Sequence, residues 1–266
     1  MTDLTEILGL PASFDENAGI IQYPDSILFE PWFKTLLSGG LWKSLRIAQE
    51  YKREDELEFL KKFAENPDAV FYFGQRGVCR KELVETLREH GIRADVTLIP
   101  AGTIGDEFIR TQGHAHIGYP EIYQVISGKC VFLSFQRGKD GLILEPTATI
   151  AHPGQIKIFS TKDYHISINV GNRTLVLADL VSPKTVPITD FSYIAEHHGA
   201  PYWCVQGKEK EVAYRRNHYY YSDDLGIRLA EAQIGIPELS LGKEKPIFSM
   251  IPDKLNQLSS FLNPER

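Results

Sequence analysis

The sequence predicts a mainly β protein, an antiparallel sandwich or barrel with helices at both ends. Three observations carry that prediction. Between about residue 92 and residue 182 the chain divides into short β-rich runs. Gly118, Gly128, Gly138, Gly141, Gly154 and Gly171 punctuate those runs. No helical pattern interrupts them, which argues against alternating strands and helices. A chain of 266 residues with 42% apolar and 24% charged residues can bury a sizeable core, so disorder throughout is excluded.

Taken in order, the first third is expected to be mainly helical. Pro31 can open a helix, the run to Leu37 is apolar-rich, and Gly39-Gly40 stops it. Residues 44–66 lack Gly and Pro, and Leu57, Leu60 and Phe63 step by three, with Phe59 four before Phe63. Asn66-Pro67 ends that pattern. Residues 81–90 form another helical segment, with Leu83, Val84 and Leu87 on one face and Gly91 as its cap. Strands are expected at 96–99, 108–111, 122–127, 130–136, 142–149, 155–159, 166–170 and 174–181. Tyr219-Tyr220-Tyr221 suggests a late extended piece, and 252–262 a terminal helix. The expected division is a helical region at 1–68, the β unit at 69–205 and a C-terminal extension at 206–266.

Composition removes several classes of function. The net charge of −6 argues against nucleic-acid binding, which needs a basic surface. A small anionic substrate needs only local positive charge. No apolar run is long enough for a membrane span, and Met1 to Glu6 shows no secretory pattern. Cys79, Cys130 and Cys204 are odd in number and widely spaced, against both a disulfide framework and a thiolate zinc site. A reducing, cytoplasmic setting is therefore expected.

The chemistry concentrates in Gly113-His114-Ala115-His116-Ile117-Gly118-Tyr119-Pro120-Glu121. On a strand, residues two apart share a face, so His114 and His116 can aim at one point. Glu121 follows a Gly-Tyr-Pro turn, and Glu121, Tyr123 and Val125 then share one face of the next strand. A hairpin would bring Glu121 back beside the histidines. Further on, His165, Ser167 and Asn169 alternate with Ile166, Ile168 and Val170, which puts a third imidazole on a polar face. Three imidazoles and a carboxylate suit Fe(II), Mn(II), Ni(II) or Zn(II) and are too poor in oxygen for Ca(II).

These residues resemble the cupin superfamily. Its first motif corresponds to His114-x-His116-x4-Glu121-x6-Gly128, and its second to Gly154-x5-Ser160-x-Lys162-x2-His165-x3-Asn169. Ser160 and Lys162 stand where the second motif has Pro and Gly, and Phe108 where the first has a preceding Gly. Within cupins the chain is similar to the cupin-type glucose-6-phosphate isomerases. The resemblance lies in Thr97, the run Thr111-Gln112-Gly113-His114-Ala115-His116, Glu121-Ile122-Tyr123 and His165-x3-Asn169-Val170-Gly171. It covers roughly residues 70–205.

The resemblance implies a cupin double-stranded antiparallel β-barrel, or jelly roll. It implies one divalent metal per chain, Fe(II) first, held by His114, His116, Glu121 and His165. Thr97, Thr111 and Gly113 match positions facing the substrate phosphate, and hydroxyls with a backbone N–H suit that task. Tyr123 matches a tyrosine close to the reacting carbons, and Glu121 or Tyr123 is placed for the proton transfer. Val181 stands where the family carries a further tyrosine, and Tyr193, Lys157, Lys162 or Arg110 could replace it. The implied activity interconverts glucose 6-phosphate and fructose 6-phosphate, in glycolysis and gluconeogenesis, by a homodimer without nucleic-acid or membrane partners. A cupin dioxygenase and a non-catalytic sugar-binding cupin are the alternatives.

Overall fold

The computed structural model describes residues 1–15, 20–29, 33–36, 70–220, 226–234 and 246–264. The strands of its two largest sheets are β1 (Phe33–Leu36), β2 (Val70–Gln75), β3 (Arg93–Ile99), β4 (His114–His116), β5 (Glu121–Ser127), β6 (Cys130–Arg137), β7 (Ile143–Ala151), β8 (Ile156–Phe159), β9 (Tyr164–Asn169), β10 (Leu175–Val181), β11 (Thr189–Asp190) and β12 (Arg228–Glu231). They form two six-stranded sheets, ordered β8-β5-β10-β3-β2-β1 and β11-β4-β9-β6-β7-β12. Pairing is antiparallel except between β7 and β12. The sheets face each other across a shared apolar core as a two-layered β-sandwich. A bridge from Ile156 to Gln233 ties the β8 edge to the segment after β12.

Alternation along each strand sorts its side chains. On β3, β5 and β10, residues Ala94, Val96, Ile122, Ile126, Val176, Ala178 and Leu180 point outward into one apolar cluster. Ile99, Tyr123, Val125, Leu175 and Leu177 point inward and meet Phe132, Cys130 and Phe159 in a second cluster between the sheets. Both faces of these strands are covered, which explains their near-continuous apolar runs. The outer face of the other sheet carries a third cluster around Phe135, Tyr164, Tyr193 and Tyr220.

Helices α1 (Thr5–Leu8), α2 (Val84–His90), α3 (Ser192–Glu196) and α4 (Ile247–Leu262) surround the sheets. The expected helix at 81–90 is present, opening as a 3-10 turn at Lys81–Leu83 and closing at Gly91. The expected terminal helix is also present, with Pro252 inside it and Lys254 out of helical geometry. That kink follows from the missing N–H and the ring of proline. Ile247, Phe248, Ile251, Leu258 and Leu262 pack on the outer cluster, at about 1.5–3 kcal/mol for each large apolar side chain buried.

Two expectations are corrected. The helix expected at 31–37 is instead strand β1, paired with β2 from Phe33↔Gly74 to Leu36↔Val70. A short apolar run bounded by Pro and Gly does not distinguish helix from strand, and pairing with a distant strand decides it. Tyr219 and Tyr220 lie in a turn rather than an extended piece. The Asn217 side chain accepts from the Tyr219 N–H at 3.0 Å and holds that turn. The helix expected at 44–66 lies outside the described residues.

Candidate metal centre

Strand β4 projects His114 and His116 inward and Ala115 outward. His114 pairs with His165 of β9 in register. Glu121 opens β5 in the opposite sheet, between Phe159 and Val181. Three imidazole Nε2 atoms converge on Glu121 Oε2, at 3.8 Å from His114, 3.3 Å from His116 and 3.0 Å from His165. The Nε2 atoms of His114 and His116 are 3.0 Å apart. Two metal–nitrogen bonds of about 2.1 Å at a right angle give a separation of about 3 Å.

The second ring nitrogens fix two tautomers. The Asp163 carbonyl can only accept, so His165 Nδ1, 3.4 Å away, carries the proton. Thr189 Oγ1 donates its one hydrogen to the Thr185 carbonyl at 2.8 Å. It must therefore accept from His116 Nδ1 at 3.0 Å. Both Nε2 lone pairs are left facing the centre, the arrangement that orients metal-bound histidines elsewhere. Phe159 stacks on His165 at 4.1 Å, and Phe191 lies 5.2 Å from His114.

Glu121 Oε2 and His165 Nε2 are buried without a hydrogen-bond partner among the described residues. Burial raises the Glu121 pKa, but the neighbouring imidazoles, His116 foremost, more than offset this and hold it well below the carboxylate range. Burial, then His165, push His114 down to about 3. A convergent nitrogen set around a carboxylate fits a divalent metal ion.

The low pKa of His114 gives a pH prediction for the metal-free protein. Below about pH 6.5 the unfolded chain binds a proton that the folded chain refuses until about pH 3. Folded stability should therefore fall with falling pH across that window, by up to ~1.4 kcal/mol per unit. Urea midpoints of chelated protein between about pH 7 and pH 5 measure this, and an upward trend on acidification would contradict it.

The other expected site residues are dispersed around this centre. Tyr123 lies one inward step beyond Glu121, 6% exposed, its ring 5.9 Å from that of His165. Burial, then Glu121 and Asp179, raise its pKa well above the usual phenol range, so the hydroxyl keeps its proton. Thr97 faces inward beside Leu177, two inward steps from the Glu121 level, or about 13 Å along the strand. Thr111 Oγ1 accepts from the Ser167 N–H at 3.1 Å, so its own hydrogen remains available to donate.

Gly113 has φ +83°, and an added Cβ would stand 2.4 Å from Ile166 Cγ1. Packing alone thus requires glycine there. Gly113→Ala is expected to destabilise the fold by ~1–3 kcal/mol, measurable as a lower urea midpoint.

Around His165 the departures from the cupin motif are absorbed locally. Asp163 accepts from the Ser160 N–H at 2.7 Å and from Gln136 Nε2 at 2.8 Å, shaping the turn without the motif's Pro and Gly. Asn169 is structural: it donates to the carbonyls of Ile99 and Arg173 at 2.8 and 2.9 Å. Of the side chains considered beside Val181, Arg110 is committed to Glu107 at 2.8 Å, and Tyr193 packs in the outer cluster. Lys162 is exposed, and Lys157 pairs across from Tyr123.

Thr189 and Asp163 were not legible as site residues, because they act through imidazoles distant in sequence or through a backbone carbonyl. Asp95 and Asp179 were legible in principle, as lone acids within the apolar runs of β3 and β10.

A profile of the glucose-6-phosphate isomerase (GPI) family matches residues 49–222, well over half of the chain. The chain belongs to that family. Among solved structures, an oxalate oxidase is 14% identical over 34% of this chain and 41% of its own, with a TM-score of 0.28. Peruvianin-I, a cysteine peptidase from Thevetia peruviana latex, is 14% identical over 34% of this chain and 49% of its own, with a TM-score of 0.27. Oxalate decarboxylase from Bacillus subtilis is 16% identical over 41% of this chain and 25% of its own, with a TM-score of 0.31. The chain thus spans less than half the length of each of these structures. Curated proteins returned no match. No described helix is long and apolar enough to cross a membrane.

Proposed function

We propose that this protein is a metal-dependent aldose–ketose isomerase that interconverts glucose 6-phosphate and fructose 6-phosphate. The observation that carries this reading is the convergence of His114, His116 and His165 on Glu121 inside a chain of this family. His114, His116, Glu121 and His165 hold one divalent metal, Fe(II) in our reading, with Mn(II), Ni(II) and Zn(II) able to replace it. When bound, the metal supplies a Lewis acid for the oxygens on C1 and C2.

The remaining work falls to the chain. Tyr123, still protonated, donates a hydrogen bond to the sugar oxygens as charge develops. In an enediolate route, the Glu121 carboxylate takes the proton from C2 and returns it at C1. In a hydride shift, Glu121 and Tyr123 serve only to hold the substrate. Thr97, Thr111 and the Gly113 N–H bind the phosphate, and Lys157 supplies the local positive charge. The protein works as a cytoplasmic homodimer in glycolysis and gluconeogenesis.

Metal analysis of the purified protein, followed by a coupled fructose 6-phosphate assay with and without chelator, tests the reading. Chelator-sensitive turnover that metal restores is expected. Oxygen uptake without isomerisation would replace it with a dioxygenase, and sugar binding without turnover with a binding protein.

A further inference from the structure

Between the two sheets, one step from Glu121, a row of polar side chains crosses the first sheet. Tyr123 of β5 pairs with Asp179 of β10, and Asp179 with Asp95 of β3. All lie on the inward face, in the alternate set that contains Val125, Leu177 and Ile99. The two carboxyls are treated very differently. Asp95 accepts from Arg93 Nε at 2.9 and 3.1 Å, from the Gly77 N–H at 3.1 Å and from Arg76. Asp179 is fully buried, and neither of its oxygens has a hydrogen-bond partner among the described residues. A buried polar group left unpaired is costly, and its presence calls for an explanation.

We propose that Asp179 is a further substrate-contacting residue, whose carboxyl hydrogen-bonds a hydroxyl of the bound sugar beside Tyr123. This rests on the reading of the substrate as a sugar phosphate. The groups facing Asp179 are Tyr123 and Glu121 on β5, Asp95 and Arg93 on β3, and Arg76 after β2. Burial, then Asp95 and Glu121, raise its pKa well above the carboxylate range, against the pull of Arg76 and Arg93. A neutral carboxyl both donates and accepts, as a sugar hydroxyl does, so one group can satisfy the other completely. Asp95, already saturated by guanidinium and backbone donors, cannot take this role.

The test uses the metal-loaded full chain with Asp179→Asn and Asp179→Leu. Binding is read by the thermal shift with sorbitol 6-phosphate, an open-chain sugar phosphate that cannot isomerise. Turnover of fructose 6-phosphate is read separately. Asp179→Leu should keep its metal, melt at or above the parent's temperature without ligand, and bind sorbitol 6-phosphate about tenfold more weakly. Asp179→Asn, which keeps a donor and an acceptor, should lie between the two. A Leu variant that binds as tightly as the parent overturns the proposal. So does a fall in melting temperature for both variants with binding unchanged, which marks Asp179 as structural. A parent that binds sorbitol 6-phosphate but does not turn over fructose 6-phosphate defeats the isomerase reading alone. A parent that does neither defeats both.

Discussion

His165→Ala should strip the centre of its metal and abolish turnover. His165 is the imidazole closest to Glu121, its Nε2 has no other partner among the described residues, and Asp163 fixes its tautomer. Partners that merely orient a metal ligand are worth roughly 10–100-fold in affinity, so losing the ligand itself should exceed that. The variant leaves a cavity under the stacked Phe159 ring, and some loss of stability is expected with it. Metal content after dialysis, measured beside the urea midpoint, separates the two effects. A folded variant that retains stoichiometric metal would place the site elsewhere. His114→Ala should behave similarly, with a smaller packing penalty because its side chain is 14% exposed.

Tyr123→Phe should lower kcat about 10²-fold while metal stays bound. The ring packs against Phe132 and Phe159 at 5.7 Å in each case, and phenylalanine preserves those contacts. The hydroxyl is the one group removed, and it is held protonated beside Glu121. Fructose 6-phosphate and glucose 6-phosphate labelled with deuterium then distinguish the routes. Washout of label into solvent supports an enediolate, with proton exchange at Glu121. Full retention in the product, with a near-silent Tyr123→Phe, supports the hydride shift and removes Tyr123 from the reacting groups.

Much of the centre was legible because strands have a period of two. His114-x-His116, Glu121-x-Tyr123 and His165-x-Ser167 each declare which side chains share a face, whatever the rest of the chain does. The register that brings His114 opposite His165 is a pairing between segments about fifty residues apart, and the motif spacing anticipated it only through resemblance. The first third was harder. Phe33–Leu36 suits a helix or a strand equally, and only its pairing with β2 settles which.

The sequence by itself determined the inward and outward faces of the β-strands, because these follow from alternation, and it pointed to the family through the resemblance of its motifs. The tertiary structure alone decided which acid is spent and which is free. Asp95 and Asp179 are each a single carboxylate in an apolar strand and look alike in sequence. Arg93 reaches Asp95 from two residues away on the same face, and the turn after β2 adds Arg76 and the Gly77 N–H. Asp179, one strand over, receives none of them. Hydrogen bonding needs partners within about 3 Å, and chain order does not encode that distance between strands.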